Sequence, residues 1–186
     1  GDMSKKGIKS VLYSGEGEPL LHKDITDIIY ITKKNGIDVA ISTNGVFLDE
    51  YKSEKILPHL TWLRISINAA KRKSYSLIHG TNGNDLDKVI KNVKKIVKIK
   101  NKNSYSCTIG VQFLLLPQNY KEVIILANIL KDIGVDYLSI KPFSPHPSSK
   151  HRFKKIDYSE YLHLKKKLEL YESNQFKVIY RLHSME

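Results

Sequence analysis

The chain has 186 residues, 31 Lys and Arg against 19 Asp and Glu, a net charge of +12 and one cysteine, Cys107. That length suits one domain with a substantial core or a piece of a somewhat larger one, and a hydrophobic fraction of 41% with a charged fraction of 27% is ordinary for a soluble globular chain. No apolar run approaches the ~18 residues of a membrane helix, the first residues lack the pattern of a signal peptide, and one cysteine excludes a disulfide or a thiolate-held metal cluster built by this chain alone.

In chain order, short apolar strands alternate with amphipathic helices. Ile8 to Tyr13 reads as a strand and stops at Ser14-Gly15-Glu16-Gly17. Asp24 to Lys34 repeats Ile25, Ile28, Ile29 and Thr32 at helical spacing, and Asn35-Gly36 ends it. Ile37 to Ser42 is the next strand, closed by Thr43-Asn44-Gly45. Leu48 to Leu57 follows as a helix halted by Pro58, and Leu63 to Asn68 as a third strand. Asp85 to Lys100 places Leu86, Val89, Ile90, Val93, Ile96 and Val97 on one helical stripe. Cys107 to Leu116 predicts a long strand, Tyr120 to Leu130 a helix stopped near Gly134, and Tyr137 to Ile140 a fifth strand. A helix over about Tyr158 to Tyr171 and a strand over Phe176 to Tyr180 complete the series, with a proline-rich loop from Pro142 to Lys155 before them. Strands joined by helical crossovers pair in parallel, so the class is α/β, either a (β/α) barrel or an open doubly wound sheet.

Acidic and basic residues balance up to Asn68, and the whole positive excess lies beyond it. Only Arg64, Arg72, Arg152 and Arg181 are arginines, whereas nucleic-acid readers favour Arg for bidentate contacts. The lysines therefore read first as a solvated surface. His146, His151, His163 and His183 lack metal-ligand spacing, and Cys107 reads as a small buried hydrophobe.

Ligands of parallel α/β folds bind at the carboxyl ends of strands. Here those ends carry Ser14 to Pro19, then Ser42 to Gly45, then Ser66-Ile67-Asn68, and finally Lys141. Gly15 and Gly17 fit the first two glycines of a dinucleotide fingerprint, but Leu20 holds the third position. Glu16 and Glu18 would also repel a pyrophosphate. Carboxylates beside a glycine-freed backbone suit an ammonium group, or simply open the following helix.

Gly17-Glu18-Pro19 directly after a strand resembles the Gly-Gly-Glu-Pro motif of the radical S-adenosylmethionine (SAM) superfamily, with Glu16 in place of the first glycine. Ile41 to Gly45 is similar to the Thr-Asn-Gly end of that family's next strand, and Arg64 to Ala69 to its ribose-contacting strand. Ile78-His79-Gly80, Gly110-Val111-Gln112 and Ile140-Lys141-Pro142 follow in the family's order, so the resemblance covers roughly Lys9 to Pro147. It implies a partial (β/α)6 TIM-like barrel of the radical SAM type, with the first strand missing. Residues 1–186 would form a single domain, strands and helices over about 7–147 and a C-terminal extension over 148–186. It further implies that Gly15, Glu16, Gly17, Glu18 and Pro19 meet the methionyl ammonium. Ser42 and Asn44 would lie near the methionyl carboxylate or ribose, and Ser66 and Asn68 at the ribose hydroxyls. Val111 would face the adenine, with Gln112 and Lys141 adding polar contacts.

The implied cofactors are SAM and a four-iron four-sulfur cluster on a Cys-x3-Cys-x2-Cys motif. With Cys107 alone in the chain, its ligands are expected outside it, ahead of Gly1. The implied activity is reductive cleavage of SAM to a 5′-deoxyadenosyl radical that abstracts hydrogen from a substrate the sequence does not name. A flavodoxin or ferredoxin would be the reductant, and the location cytoplasmic. Two other classes remain open: a cluster-free binding protein with a SAM-like pocket, and a basic nucleic-acid-associated module using Lys88 to Lys102 and Lys150 to Lys167.

Overall fold

The computed structural model describes residues 2–15, 17–144 and 156–181. Six strands form one sheet: β1 (Ser10–Tyr13), β2 (Asp38–Thr43), β3 (Trp62–Ser66), β4 (Thr108–Leu115), β5 (Tyr137–Pro142) and β6 (Lys177–Tyr180). Their spatial order is their chain order, and the strands are parallel. A doubly wound sheet reverses its strand order at a switch point; this one never does, which is the barrel-type topology. The helices are α1 (Asp2–Lys5), α2 (Ile25–Lys34), α3 (Glu50–Ile56), α4 (Arg72–His79), α5 (Asn84–Lys102), α6 (Glu122–Ile133) and α7 (His163–Glu169).

The chain divides into two compact units, Gly1–Ser66 with Asp87–Gly110, and Ile67–Leu86 with Val111–Glu186. In the first, Ile29 of α2, Val39 and Ile41 of β2, Leu63 and Ile65 of β3 and Val89, Val93 and Ile96 of α5 are fully buried. Strand register aligns Ser42 with Arg64, so the half-buried row Ser42 and Asn44 lies alongside the half-buried row Trp62, Arg64 and Ser66. The loop after β2 is fixed from α5: Asn92, almost fully buried, donates its Nδ2 to the Gly45 carbonyl at 2.8 Å. Gly45 itself donates its N–H to Thr43 Oγ1 at 3.0 Å.

In the second unit, Phe113 and Leu115 of β4, Leu126 and Leu130 of α6, Leu138 and Ile140 of β5 and Phe176 form the core. Helix α4 has little apolar surface, and only Tyr75 is buried in it. Its first turn is held instead by a carboxylate from another helix. Glu122 of α6 is buried and accepts from the Ala70 and Lys71 N–H groups at 2.8 and 3.0 Å and from Ser74 Oγ at 2.5 Å. The bond to Lys71 satisfies one of the donors that every helix start leaves without an intrahelical partner, and the carboxylate sets a negative charge where the helix dipole favours one. The helix ends on Gly80 at φ 64°, a left-handed cap.

The expected strands all form, with their ends within two residues of the predicted places; β3 closes at Ser66 rather than Asn68. Ile67 nevertheless still donates to the Gln112 carbonyl at 3.0 Å, so the chain stays extended past the assigned strand. The predicted helix over Tyr158 to Tyr171 splits into a 3-10 turn, Tyr158–Tyr161, and α7. Much of the loop from Pro142 to Lys155 lies outside the described residues, as do Lys150 and the histidines at 146, 151 and 183.

Gly45 is the position where the fold demands glycine: its φ is +78°, and a Cβ would sit 2.8 Å from Ile65 Cγ2 and 3.2 Å from Val89 Cγ1. Gly45→Ala should therefore destabilise the chain by about 2–4 kcal/mol, from left-handed strain and overpacking together. Urea unfolding checks this; an unchanged midpoint would contradict it.

Candidate functional site

The first polar segment follows β1. Gly15 takes φ +153°, and the half-buried Glu18 opens a 3-10 turn over Pro19–Leu21. Glu18 does not simply point at solvent. Its Oε1 accepts from the Leu20 N–H at 3.1 Å and from Thr43 Oγ1 at 2.5 Å, and its Oε2 accepts from the Asn44 N–H at 2.7 Å. The carboxylate thus ties the turn after β1 to the end of β2. Bonds to an ionised acceptor are about twice as strong as neutral ones, so this joint is firm. An open groove of about 450 Å³ runs along the same segment, lined by Ser14, Gly15, Gly17, Glu18 and Pro19 with apolar Leu12, Ile25 and Ile28. Glu16 lies outside the described residues.

Asn44 is fixed at both ends of its residue. Its N–H meets Glu18, and its Oδ1 accepts from the Val46 N–H at 2.9 Å. Ser42 Oγ accepts a long bond, 3.4 Å, from Arg64 Nε, and the Arg64 guanidinium lies over the Trp62 ring at 5.2 Å. In this unit the structure brings together Gly17, Glu18, Pro19 and Asn44 around one carboxylate, with Thr43 as a member the sequence did not single out.

The second unit holds Asn68, Val111, Gln112 and Lys141. Asn68 Oδ1 accepts from the Leu114 N–H at 2.7 Å, so its side chain extends the ladder onto β4. Gln112 and Leu114 alternate with Val111, Phe113 and Leu115 along β4. Val111 is fully buried in the row opposite Gln112, so toward the Gln112 side it presents backbone rather than its side chain. Gln112 Oε1 is buried and has no hydrogen-bond partner among the described residues; Ser139 Oγ on β5 shares that condition. A buried polar atom left unpaired costs about 1–3 kcal/mol, so a donor from water or a bound molecule would be favourable at Gln112 Oε1, and a donor or an acceptor at Ser139 Oγ. Lys141 is half-buried at the end of β5, two residues along from Ser139 in the same alternating row.

Sequence alone assigned no role to His79, Asn119 or Ser139. The signal for Asn119 was its place directly after β4; for Ser139 it was a serine inside an otherwise apolar strand. Burial drives the His79 imidazole down to about 4 from an ordinary 6.5. Among the described residues no three His, Cys, Asp or Glu side chains form a metal-holding group, and Cys107 is buried. These residues fit a polar organic ligand and do not fit an iron–sulfur cluster. No helix among them is long and apolar enough to cross a membrane.

Comparison with known proteins bears on the family and the fold. A family model of the radical SAM superfamily matches residues 2–128. The chain is 29% identical over 142 residues to the tungsten-containing aldehyde ferredoxin oxidoreductase cofactor-modifying protein of Pyrococcus furiosus, covering 74% of this chain and 39% of that one. It is 30% identical over 143 residues to a probable GTP 3′,8-cyclase of Methanocaldococcus jannaschii, covering 76% and 45%. It therefore spans less than half the length of these two relatives. Among solved structures it resembles Streptococcus suis SuiB bound to S-adenosylmethionine, with a TM-score of 0.70 at 18% identity over 92% of this chain and 39% of that one.

The half-buried His79, kept neutral by desolvation, makes stability depend on pH. Between the folded value of about 4 and the unfolded value near 6.5, the unfolded chain binds a proton that the folded chain does not. Stability from this group is thus complete above pH 6.5 and declines as pH falls toward 4, by up to about 3 kcal/mol. Unfolding midpoints measured across that window should drop more steeply in the wild-type chain than in His79→Gln; parallel profiles would contradict the assignment.

Proposed function

Because the chain belongs to the radical SAM superfamily, we propose that it forms the cofactor-holding core of an enzyme that cleaves SAM reductively and uses the resulting 5′-deoxyadenosyl radical to take a hydrogen atom from its substrate. The observation that carries this reading is the Glu18 joint at the carboxyl ends of β1 and β2, where parallel sheets bind their ligands. When bound, SAM supplies the radical chemistry, and the chain's own residues bind and orient it.

Each residue has a task in this reading. Glu18 already accepts three hydrogen bonds, so the methionyl ammonium is met by the carbonyls of the Gly15–Gly17 segment and the acceptor capacity Glu18 retains. With its N–H and Oδ1 occupied, Asn44 has its Nδ2 to offer the methionyl carboxylate, beside Ser42. Ser66 and Asn68 present hydroxyl and amide donors to the ribose oxygens. Gln112 Oε1 accepts from the adenine amino group, which supplies the donor this buried oxygen otherwise lacks. Val111 lends backbone to the adenine, and Lys141 stands at the edge of the same row. The thiolates for the four-iron cluster come from outside these 186 residues, since the sequence holds one cysteine. An acidic one-electron carrier of the flavodoxin or ferredoxin class is the reductant. About residues 7–147 act as the barrel portion of a single domain, and 148–186 as its C-terminal extension.

Calorimetric titration with SAM tests the reading. The wild-type protein should bind it, and Glu18→Ala should raise the Kd at least about tenfold, or ~1.4 kcal/mol, by releasing Asn44. Identical binding by a Glu18→Ala variant that still folds would sink this assignment.

A further inference from the structure

One motif of the chain makes none of these cofactor contacts: Ile78-His79-Gly80, at the end of α4. Its histidine reaches back to the site. His79 Nε2 accepts from the Asn68 N–H at 3.1 Å, and its ring stacks on the fully buried Tyr75 with centroids 4.1 Å apart and planes 16° apart. Accepting at Nε2 requires the neutral Nδ1–H tautomer, since an imidazolium has no acceptor. The burial that lowers the pKa to about 4 keeps the ring in that form.

Asn68 is held from two further directions. Fully buried Asn119 donates its Nδ2 to the Asn68 carbonyl at 2.8 Å and to the Leu114 carbonyl at 2.8 Å, while its Oδ1 accepts from the Leu116 N–H at 2.8 Å. Asn68 Oδ1 takes the Leu114 N–H. The amide, the carbonyl and the side-chain oxygen of Asn68 are therefore all committed to protein. Its Nδ2 is the group left to offer, and its direction is set by the other three bonds. Position 68 lies beyond the end of β3, where the regular ladder no longer fixes the backbone. A side-chain acceptor takes over there.

We propose that His79 is a positioning residue for the cofactor: by accepting from the Asn68 amide it fixes the orientation in which Asn68 Nδ2 donates to a ribose hydroxyl of SAM. This rests on the reading of Asn68 as a cofactor contact. The Tyr75 ring holds the imidazole plane, and Gly80 lets the chain leave α4 without displacing it.

The test uses the full-length protein, with SAM affinity read by calorimetry and protection of the Asn68 amide read by hydrogen exchange. Asn68→Ala serves as the reference. His79→Phe keeps a ring on Tyr75 and removes the acceptor; it should raise the SAM Kd about tenfold and lose the Asn68 protection. His79→Gln restores an acceptor and should stay within about threefold of wild type. Adding His79→Phe to Asn68→Ala should cost nothing more, because the two act through one contact. Should His79→Phe unfold, His79→Asn, whose carboxamide is too short to reach, replaces it with the same expectation. If Asn68→Ala weakens SAM binding while neither acceptor-less variant does, the His79 inference is overturned and the cofactor reading stands. If Asn68→Ala binds SAM as wild type does, the assignment of Asn68 fails and His79 falls with it.

Discussion

The Glu18 carboxylate is the joint on which the polar strand ends of the first unit depend. A parallel sheet fixes its strands by backbone bonds, but the loops leaving their carboxyl ends have no ladder to hold them. Glu18 supplies that hold by accepting from Leu20, Thr43 and Asn44 at once. Thr43 is also the acceptor for the Gly45 amide, and Asn92 holds the Gly45 carbonyl from α5. The chain of bonds therefore runs from the turn after β1, through the end of β2, to a buried asparagine on a helix. These polar groups are fixed in place before any ligand, which is the condition that lowers the ordering cost of binding.

The second unit solves the same problem with neutral side chains. After β3 the backbone is caught by His79, Asn119 and the side-chain oxygen of Asn68 itself. A charged group enters only with Glu122, which holds the start of α4, the helix that delivers His79. In both units a polar residue that looks available in the sequence is largely spent on holding a neighbour, and the atoms that remain are the ones with hydrogen bonds to give. Asn44 and Asn68 each follow this pattern.

The strands and long helices were legible because their periodicity survives in sequence. Asp85 to Lys100 carries an apolar stripe strong enough to define α5, and Asn35-Gly36 and Gly134 mark true helix ends. Helix α4 was not legible. Its sequence, Arg72 to His79, buries only Tyr75, and it forms because Glu122, far away in sequence, caps it. The clusters at residues 14–19, 42–45 and 66–68 lie at the ends of β1, β2 and β3, which follows from strand boundaries alone. Which atoms of Glu18 and Asn68 are already spent was not readable, because it depends on partners as far as 51 residues away.

By itself the sequence determined the α/β class, the strand order of polar clusters and the absence of a thiolate set, because alternation, turn residues and composition are local properties. Only the tertiary structure decided that Glu18 is a joint, that Val111 turns its side chain from Gln112, and that His79 holds Asn68. Those are consequences of register and of long-range hydrogen bonds to buried backbone groups, whose cost when left unpaired fixes the geometry only once distant segments have packed.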